Sequence, residues 1–267
     1  MDEKSFMDTF EEKPRRRRGI YLLPNLLTTA ALFSGFYAIV AATNGRFEAA
    51  AIAIFIAMIL DGLDGRVARL TNTQSAFGAE YDSLADVISF GLAPALVMYE
   101  WSLIVLGKLG WLAAFVYTAS AALRLARFNT QVGKIDKAYF QGLPSPSAAA
   151  LLSGFVWLCT DYQIEGNSVA LVAWFITFTA GLLMVSTLRY HSFKDMDLKG
   201  KVPFVKILII VFVFSLISID PPKILFLGFL LYAASGPLWT LIQKRKRRKV
   251  TRSLEDSPLP RKNEPPK

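Results

Sequence analysis

The chain has 267 residues, of which 53% are hydrophobic, and its mean hydropathy is +0.38. The polar residues collect at the two ends and in a few short loops, so this composition excludes an ordinary soluble domain and predicts a helix bundle embedded in a membrane. A single cysteine excludes an internal disulfide and a cysteine-rich zinc site.

The net charge of +9 comes largely from basic residues that flank the apolar core. Residues 15–18 (RRRR) precede the first apolar segment and residues 244–249 (KRKRRK) follow the last, where both runs can meet anionic headgroups. We therefore interpret the charge as a signal of membrane topology. Anionic membrane lipids are expected partners, and nucleic acid is not.

Eight apolar segments are predicted to be helices, and most reach the length of about 20 residues that spans a bilayer. Their approximate bounds are 21–43, 47–70, 80–106, 109–128, 145–160, 168–188, 204–219 and 223–243. The predicted fold class is therefore all-α, a polytopic membrane bundle of about eight transmembrane helices. The fifth and seventh segments are short, so six or seven spans also fit.

The positive-inside rule orients these segments. With a cytoplasmic start and eight spans, the outer loops hold only Arg46, Lys108 and Lys223 of the 30 lysines and arginines. Both termini then lie in the cytoplasm, and the pattern fits a bacterial cytoplasmic membrane. No cleavable signal peptide is expected, because the first 19 residues are charged and polar and the first apolar segment is too long for one.

Four aspartates stand in or beside the second and third apolar segments, where a charge at the bilayer centre costs roughly 2.5 to 3.5 kcal/mol. Asp61 and Asp64 share one helix face, and Gly78, Asp82 and Asp86 share one face of another. Two such faces set against each other would form a cluster of carboxylates that repels itself unless it holds cations. Hard oxygen ligands of this kind suit magnesium, manganese or calcium.

The stretch over residues 61–86, DGLDGRVARLTNTQSAFGAEYDSLAD, resembles the signature of the CDP-alcohol phosphatidyltransferases at every fixed position. The alternative is a purely structural role, in which these acids are helix-end charges paired with Arg66 and Arg69. The resemblance implies a membrane enzyme with a six-helix core, here with two added helices, that is usually a homodimer. It also implies two divalent ions, Mg²⁺ or Mn²⁺, and transfer of a phosphatidyl group from a CDP-linked lipid to an alcohol.

The resemblance further assigns a role to each acid. Asp61, Asp64 and Asp82 are the expected metal ligands. Asp86 is the expected general base and a possible ligand of the second metal. The four acids are expected at the cytoplasmic ends of the second and third spans. The residues expected at the CDP-lipid are Asn25, Thr28, Gly65, Ala68, Arg69 and Gly78.

Several of these residues also have a purely structural interpretation. Gly65 or Ala68 could serve close helix packing, and Arg69 could be a snorkelling anchor. Asn25 and Thr28 could be a helix N-cap and its neighbour.

The acceptor alcohol is indicated by other segments. Residues 21–28 (YLLPNLLT), 82–94 (DSLADVISFGLAP), 123–129 (LRLARFN) and 140–146 (FQGLPSP) resemble segments of the family's serine-specific members, although its choline-specific members share parts of them. Arg124 and Arg127 can point into one pocket beside Asn129, where they could bind the carboxylate of serine. They could equally be positive-inside anchors.

We therefore expect transfer of the phosphatidyl group from CDP-diacylglycerol to L-serine, giving phosphatidylserine and CMP in phospholipid biosynthesis. Choline, glycerol phosphate and inositol phosphate remain alternative acceptors, and a divalent-cation transporter is a remote alternative. A phospholipase-D-like mechanism is excluded because it needs paired histidines, and His191 is the only one. The chain divides into a basic tail over 1–19, a transmembrane catalytic domain over 20–243 and a basic, disordered tail over 244–267.

Overall fold

The computed structural model describes residues 22–131, 139–191 and 204–255. Within these ranges the fold is a helix bundle with one small sheet, and the predicted N-terminal tail lies outside them. The helices are α1 Leu22–Thr43, α2 Phe47–Leu70, α3 Ala76–Asp86, α4 Ala93–Trp101, α5 Lys108–Gln131, α6 Ser145–Asp161, α7 Ala170–Val185, α8 Phe204–Ile219 and α9 Pro221–Glu255. The strands are β1 Tyr139–Gln141 and β2 Arg189–His191.

The predicted all-α membrane bundle is confirmed, since each of the eight apolar segments forms a helix. Five helical stretches in the described ranges are long and apolar enough to cross a membrane: Leu22–Thr43, Ala76–Trp101, Lys108–Thr130, Gly166–Val185 and Pro221–Thr240. The helix α2 carries the charged motif, while α6 has 17 residues and α8 has 16. The number of helices that cross the bilayer therefore stays a prediction.

The third predicted segment is not a uniform α-helix. It begins at Ala76, four residues before the predicted start, and a π-helical stretch over Val87–Leu92 joins α3 to α4. Ser75 caps its first turn, because the Ser75 hydroxyl accepts a hydrogen bond from the Gly78 amide at 3.0 Å. A 3₁₀ turn over Leu103–Leu106 follows α4.

Small residues bring the helices close together. Where α1 packs against α2, the buried positions are Ala38 and Ala41 on one side and Ala50 and Ala53 on the other. Small side chains at such contacts let backbones approach, which replaces the hydrophobic driving force that lipid removes. The helix α5 packs against α7, and α6 packs between α2 and α9. The helix α1 also contacts α3 and α4, so α1, α2 and the α3–α4 unit pack together.

The strands β1 and β2 form an antiparallel pair that sequence analysis did not predict, with Phe140 opposite Tyr190. Three-residue strands carry too little alternation to be recognised in a sequence. Tyr190 is buried and its hydroxyl donates to the Ala233 carbonyl of α9 at 3.0 Å, which fastens the sheet to the bundle. Burial raises the pKa of the Tyr190 phenol, so it remains a neutral donor.

The C-terminal boundary differs from the prediction. The helix α9 continues to Glu255, so residues 244–255, which were predicted to be disordered, are helical. Lysine and arginine have high helix propensity, so a basic run that follows an apolar helix can extend it. The rest of the predicted tail, residues 256–267, lies outside the described residues.

Candidate active site

The four motif aspartates meet where α2 and α3 pack together at one end of the bundle. Oxygen atoms of Asp61, Asp64 and Asp82 all lie within 4.8 Å of one another. The Asp86 carboxyl group, one turn of α3 beyond Asp82, interacts with the carboxyl group of Asp61 and so adjoins these three acids. The faces predicted from helical periodicity therefore do face each other, and the cluster contains all four predicted acids.

The neighbours of the cluster leave much of its negative charge unbalanced. The Thr28 hydroxyl donates to Asp64 Oδ2 at 2.6 Å, which joins α1 to the site. One oxygen of Asp82, Oδ1, is buried and has no hydrogen-bond partner among the described residues. Buried polar atoms are nearly always paired, so an orphaned carboxylate oxygen beside two other carboxylates fits a site for a divalent cation. This all-oxygen donor set is the type that magnesium and manganese prefer.

A cavity of about 290 Å³ opens beside the acids, between α1, the end of α2 and the start of α3. All six residues predicted to bind the CDP-lipid line it, and Asp64 and Asp82 form part of its wall. Its volume is close to the lower limit of small-molecule pockets, roughly 300 Å³. The lining residues are Pro24, Asn25, Thr28, Asp64, Gly65, Ala68, Arg69, Thr73, Gln74, Ser75, Gly78, Ala79 and Asp82.

The two glycines of the pocket have different surroundings. A Cβ atom on Gly65 would meet only the guanidinium of Arg69, at 3.6 Å, so Gly65 leaves space in the pocket and does not serve a helix–helix contact. A Cβ on Gly78 would lie 3.1 Å from Ser75 Oγ and 3.3 Å from Asn25 Oδ1. Gly78 therefore lets α3 approach α1 and also keeps the pocket open.

The three predicted acceptor residues lie in three different environments. Arg124 is buried, donates from Nη1 to Ser145 Oγ at 2.8 Å, and interacts electrostatically with Asp86. Its Nε atom is buried and has no partner among the described residues. Arg124 therefore lies near the acids, and its Nε–H is available to donate a hydrogen bond to a ligand.

Arg127 and Asn129 make contacts of another kind. Arg127 donates to the backbone carbonyls of Val185 at 3.1 Å and Gln141 at 3.2 Å, and so joins the segments that carry β1 and β2. Asn129 is exposed and donates to Ser83 Oγ at 3.0 Å, next to Asp82 on α3. The predicted pairing of Arg124 and Arg127 in one pocket is therefore not what the hydrogen bonds show.

Some residues at the site were not predicted from the sequence. Thr73, Gln74 and Ser75 line the pocket from the loop between α2 and α3. The cap signal of Ser75 three residues before Gly78 could have indicated the loop. Ser145, the partner of Arg124, offered no signal, because its contact depends on how α5 packs against α6.

Known proteins resemble the chain over the region that contains this site. The family model described as CDP-alcohol phosphatidyltransferase matches residues 21–187. A CDP-diacylglycerol–serine O-phosphatidyltransferase of Helicobacter pylori is 40% identical over 229 residues, covering 84% of this chain and 94% of the relative. An enzyme of the same name from Mycobacterium bovis is 41% identical over 64% of this chain and 63% of its own length. An archaetidylserine synthase of Methanothermobacter thermautotrophicus is 36% identical over 63% of this chain and 69% of its own length.

Proposed function

The chain belongs to the CDP-alcohol phosphatidyltransferase family, and on that premise we propose that it transfers the phosphatidyl group of CDP-diacylglycerol to the hydroxyl of L-serine, which releases CMP. The product, phosphatidylserine, places the enzyme in phospholipid biosynthesis. The observation that carries this proposal is the position of the aspartate cluster, because two of its members, Asp64 and Asp82, line the same pocket as every predicted CDP-lipid residue. The names of the relatives support serine as the acceptor.

We assign Asp61, Asp64 and Asp82 as the ligands of Mg²⁺ or Mn²⁺, with two ions per site and Asp86 available to the second. The close approach of three carboxylates and the orphaned Asp82 oxygen support this assignment. Divalent ions bound there would neutralise charge on the pyrophosphate and favour in-line displacement. Asn25, Thr28, Gly65, Ala68, Arg69 and Gly78 would hold the nucleotide end of the lipid, with Arg69 as the cation at the phosphates.

Asp86 is the proposed general base. It takes the proton from the serine hydroxyl, and the serine oxygen bonds to the phosphorus that carries diacylglycerol. The bond from that phosphorus to the CMP oxygen breaks, and CMP leaves with the electron pair. The buried charge of Arg124 lies close to Asp86, which supports placing the acceptor between these two residues.

Arg124 is the proposed ligand of the serine carboxylate. The Arg124 guanidinium is buried and its Nε has no partner among the described residues, so it should bind an anionic ligand more strongly than an exposed guanidinium would. The free-energy cost of removing this group from water is incurred on folding and not again on binding. Ser145 holds one end of this guanidinium and would direct the rest toward the substrate. Arg127 and Asn129 remain proposed acceptor residues, and their hydrogen bonds favour action from the edge of the pocket.

The site is proposed to face the cytoplasm of a bacterial cell, where serine and divalent ions are available. The basic run over residues 244–249, at the end of α9, supports contact with anionic lipids of the cytoplasmic leaflet. A homodimer is proposed from the family resemblance alone.

The decisive experiment measures CMP release by the purified protein in detergent. With CDP-diacylglycerol, L-serine and Mg²⁺ or Mn²⁺ we expect CMP and phosphatidylserine in equal amounts, and no release after a chelator removes the metal. Release with choline, glycerol phosphate or inositol phosphate but not with serine would refute the serine proposal and leave the family chemistry intact. Metal flux into liposomes without CMP release would favour the transporter.

A further inference from the structure

The π-helical stretch over Val87–Leu92 begins directly after Asp86. Its hydrogen bonds skip one residue more than those of an α-helix, and the Ala93 amide donates to the Ile88 carbonyl. One additional residue in a turn changes the phase of a helix by about 100°, given 3.6 residues per α-helical turn. The stretch joins α3, which ends at Asp86, to α4. The direction in which the Asp86 side chain points relative to α4 therefore depends on the π-helical stretch.

Such stretches are rare in isolation, because α-helical bonding is locally preferred. Here the stretch is held from the side of α5. The Tyr117 hydroxyl donates to the Phe90 carbonyl at 3.1 Å, and the side chains of both residues are fully buried. The Thr118 hydroxyl lies 3.4 Å from the next carbonyl, that of Gly91. Because the Thr118 hydroxyl lies closer to the Ala114 carbonyl of its own helix, at 3.0 Å, the Tyr117 hydroxyl is the main hydrogen bond from α5 to the stretch.

The side of α1 leaves the stretch little room to move. The Ser89 hydroxyl donates to the Ala31 carbonyl at 3.2 Å. A Cβ on Gly35 would lie 2.8 Å from the Ser89 Cα atom, so the two backbones are already in close contact. The stretch therefore lies wedged between α1 and α5, and polar contacts from both helices hold it.

The same face of α5 reaches the active site. Tyr117 and Arg124 are seven residues apart, about two helical turns, and so lie on one side of α5. Arg124 interacts electrostatically with Asp86. One helix face therefore holds the backbone beyond Asp86 through Tyr117 and carries the charge of Arg124 within electrostatic range of the Asp86 carboxylate.

We propose that Tyr117 is a positioning residue of the active site, whose hydroxyl, by holding the Phe90 carbonyl in the π-helical stretch, sets the direction of the Asp86 carboxylate. This proposal rests on the proposed role of Asp86 as the base. Tyr117 does not touch the substrate, and its effect passes through the backbone. Displacements of about 1 Å can lower a rate on the order of 100-fold, so loss of the hydrogen bond between Tyr117 and Phe90 should lower kcat measurably.

The test is a double-mutant cycle of Tyr117→Phe and Asp86→Asn, read as CMP release. Alone, Tyr117→Phe should lower kcat by about 10- to 100-fold and leave the KM for CDP-diacylglycerol close to the wild-type value. In the Asp86→Asn background the same change should have little further effect, because the group that it positions is gone. An equal loss of kcat in both backgrounds, or a loss confined to KM, would refute the positioning role.

Tyr190→Phe is the matched control, since it also removes a buried hydroxyl that donates to a helix carbonyl, here Ala233 at 3.0 Å. It should lower the melting temperature as Tyr117→Phe does and leave kcat unchanged. An equal loss of kcat in this control would also refute the proposal. If Tyr117→Phe does not fold, Ser89→Ala, which removes the hydrogen bond from the stretch to the Ala31 carbonyl, enters the same cycle, and an equal loss of kcat in both backgrounds would again refute positioning of Asp86 by the stretch.

The two proposals fail in different ways. Wild-type protein that uses another alcohol in place of serine refutes the serine assignment, and the cycle is then measured with that alcohol. Wild-type protein that releases CMP with serine, together with equal Tyr117→Phe losses in both backgrounds, refutes the role of Tyr117 alone. No CMP release with any acceptor refutes both.

Discussion

At the scale of residues, the four aspartates share one cluster but differ in their neighbours. Asp64 accepts a hydrogen bond from Thr28, Asp82 has a buried oxygen without a partner among the described residues, and Asp86 lies near Arg124. An acid with an unpaired oxygen suits metal binding. An acid beside an arginine that is proposed to bind the acceptor substrate suits proton transfer. The differing neighbours therefore predict different consequences for the same substitution.

Asp61→Asn, Asp64→Asn and Asp82→Asn should each reduce both turnover and metal-dependent binding of CDP-diacylglycerol, because each removes a charge that the cations require. Asp86→Asn should reduce turnover by about 100- to 10,000-fold, the usual range for general-base catalysis, and largely preserve binding. Calorimetry of CDP-diacylglycerol binding with metal present separates these outcomes. Binding lost as fully in Asp86→Asn as in Asp61→Asn would make Asp86 chiefly a metal ligand.

At the scale of elements, the pocket depends on how closely α3 approaches α1. The Tyr81 hydroxyl of α3 lies 2.9 Å from the Thr29 hydroxyl of α1, and Gly78 faces Asn25 one turn earlier. The first turn of α3 is thus both a packing contact and a wall of the pocket. Elsewhere Arg127 plays a comparable part by joining the backbone near β1 to the end of α7.

Gly78→Ala should raise the KM for CDP-diacylglycerol roughly 5- to 150-fold, the equivalent of the 1 to 3 kcal/mol by which overpacking is usually unfavourable. The added methyl group would press on Ser75 Oγ and Asn25 Oδ1. Gly62→Ala is the matched control, because a Cβ there meets nothing within 4 Å and the gain in helix propensity is the same. Steady-state CMP release checks both variants. An unchanged KM in Gly78→Ala would show that α1 and α3 can yield at this contact.

At the scale of the whole molecule, the distribution of charge predicts which end of the bundle faces the cytoplasm. The acids, the pocket and the end of α5 belong to the end at which α1 begins, while the loop after α1 belongs to the other. The native Cys159 is 3% exposed, so it should give little background in a thiol-labelling experiment.

Asn44→Cys should react with a membrane-impermeant thiol reagent in intact cells, and Thr130→Cys only after permeabilisation, because the basic residues keep the active-site end inside. Both native side chains are exposed, so access to the reagent depends on the membrane alone. Mass spectrometry of the labelled protein gives the reading, with the unsubstituted chain as the background. Labelling of Thr130→Cys in intact cells would place the active site outside and overturn the predicted orientation.

The helices and the acid cluster could be predicted from the sequence, because both depend on local patterns. Apolar segments long enough to span a bilayer must satisfy their backbone hydrogen bonds internally, so hydropathy alone predicts helices. Periodicity then places Asp61 with Asp64 and Asp82 with Asp86, and their cost in an apolar setting predicts a functional site. The motif spacing was likewise sufficient to select six residues that prove to line one pocket.

The contacts that join distant parts of the chain could not be predicted in this way and are known from the folded structure. Arg124 and Arg127 look equivalent on a helix, yet one bonds Ser145 beside the acids and the other bonds a carbonyl 58 residues away. The π-helical stretch depends in the same way on Tyr117, 27 residues from Phe90. Local sequence sets periodicity over a few residues, whereas these hydrogen bonds form only after whole helices have packed, and so their partners follow from the fold.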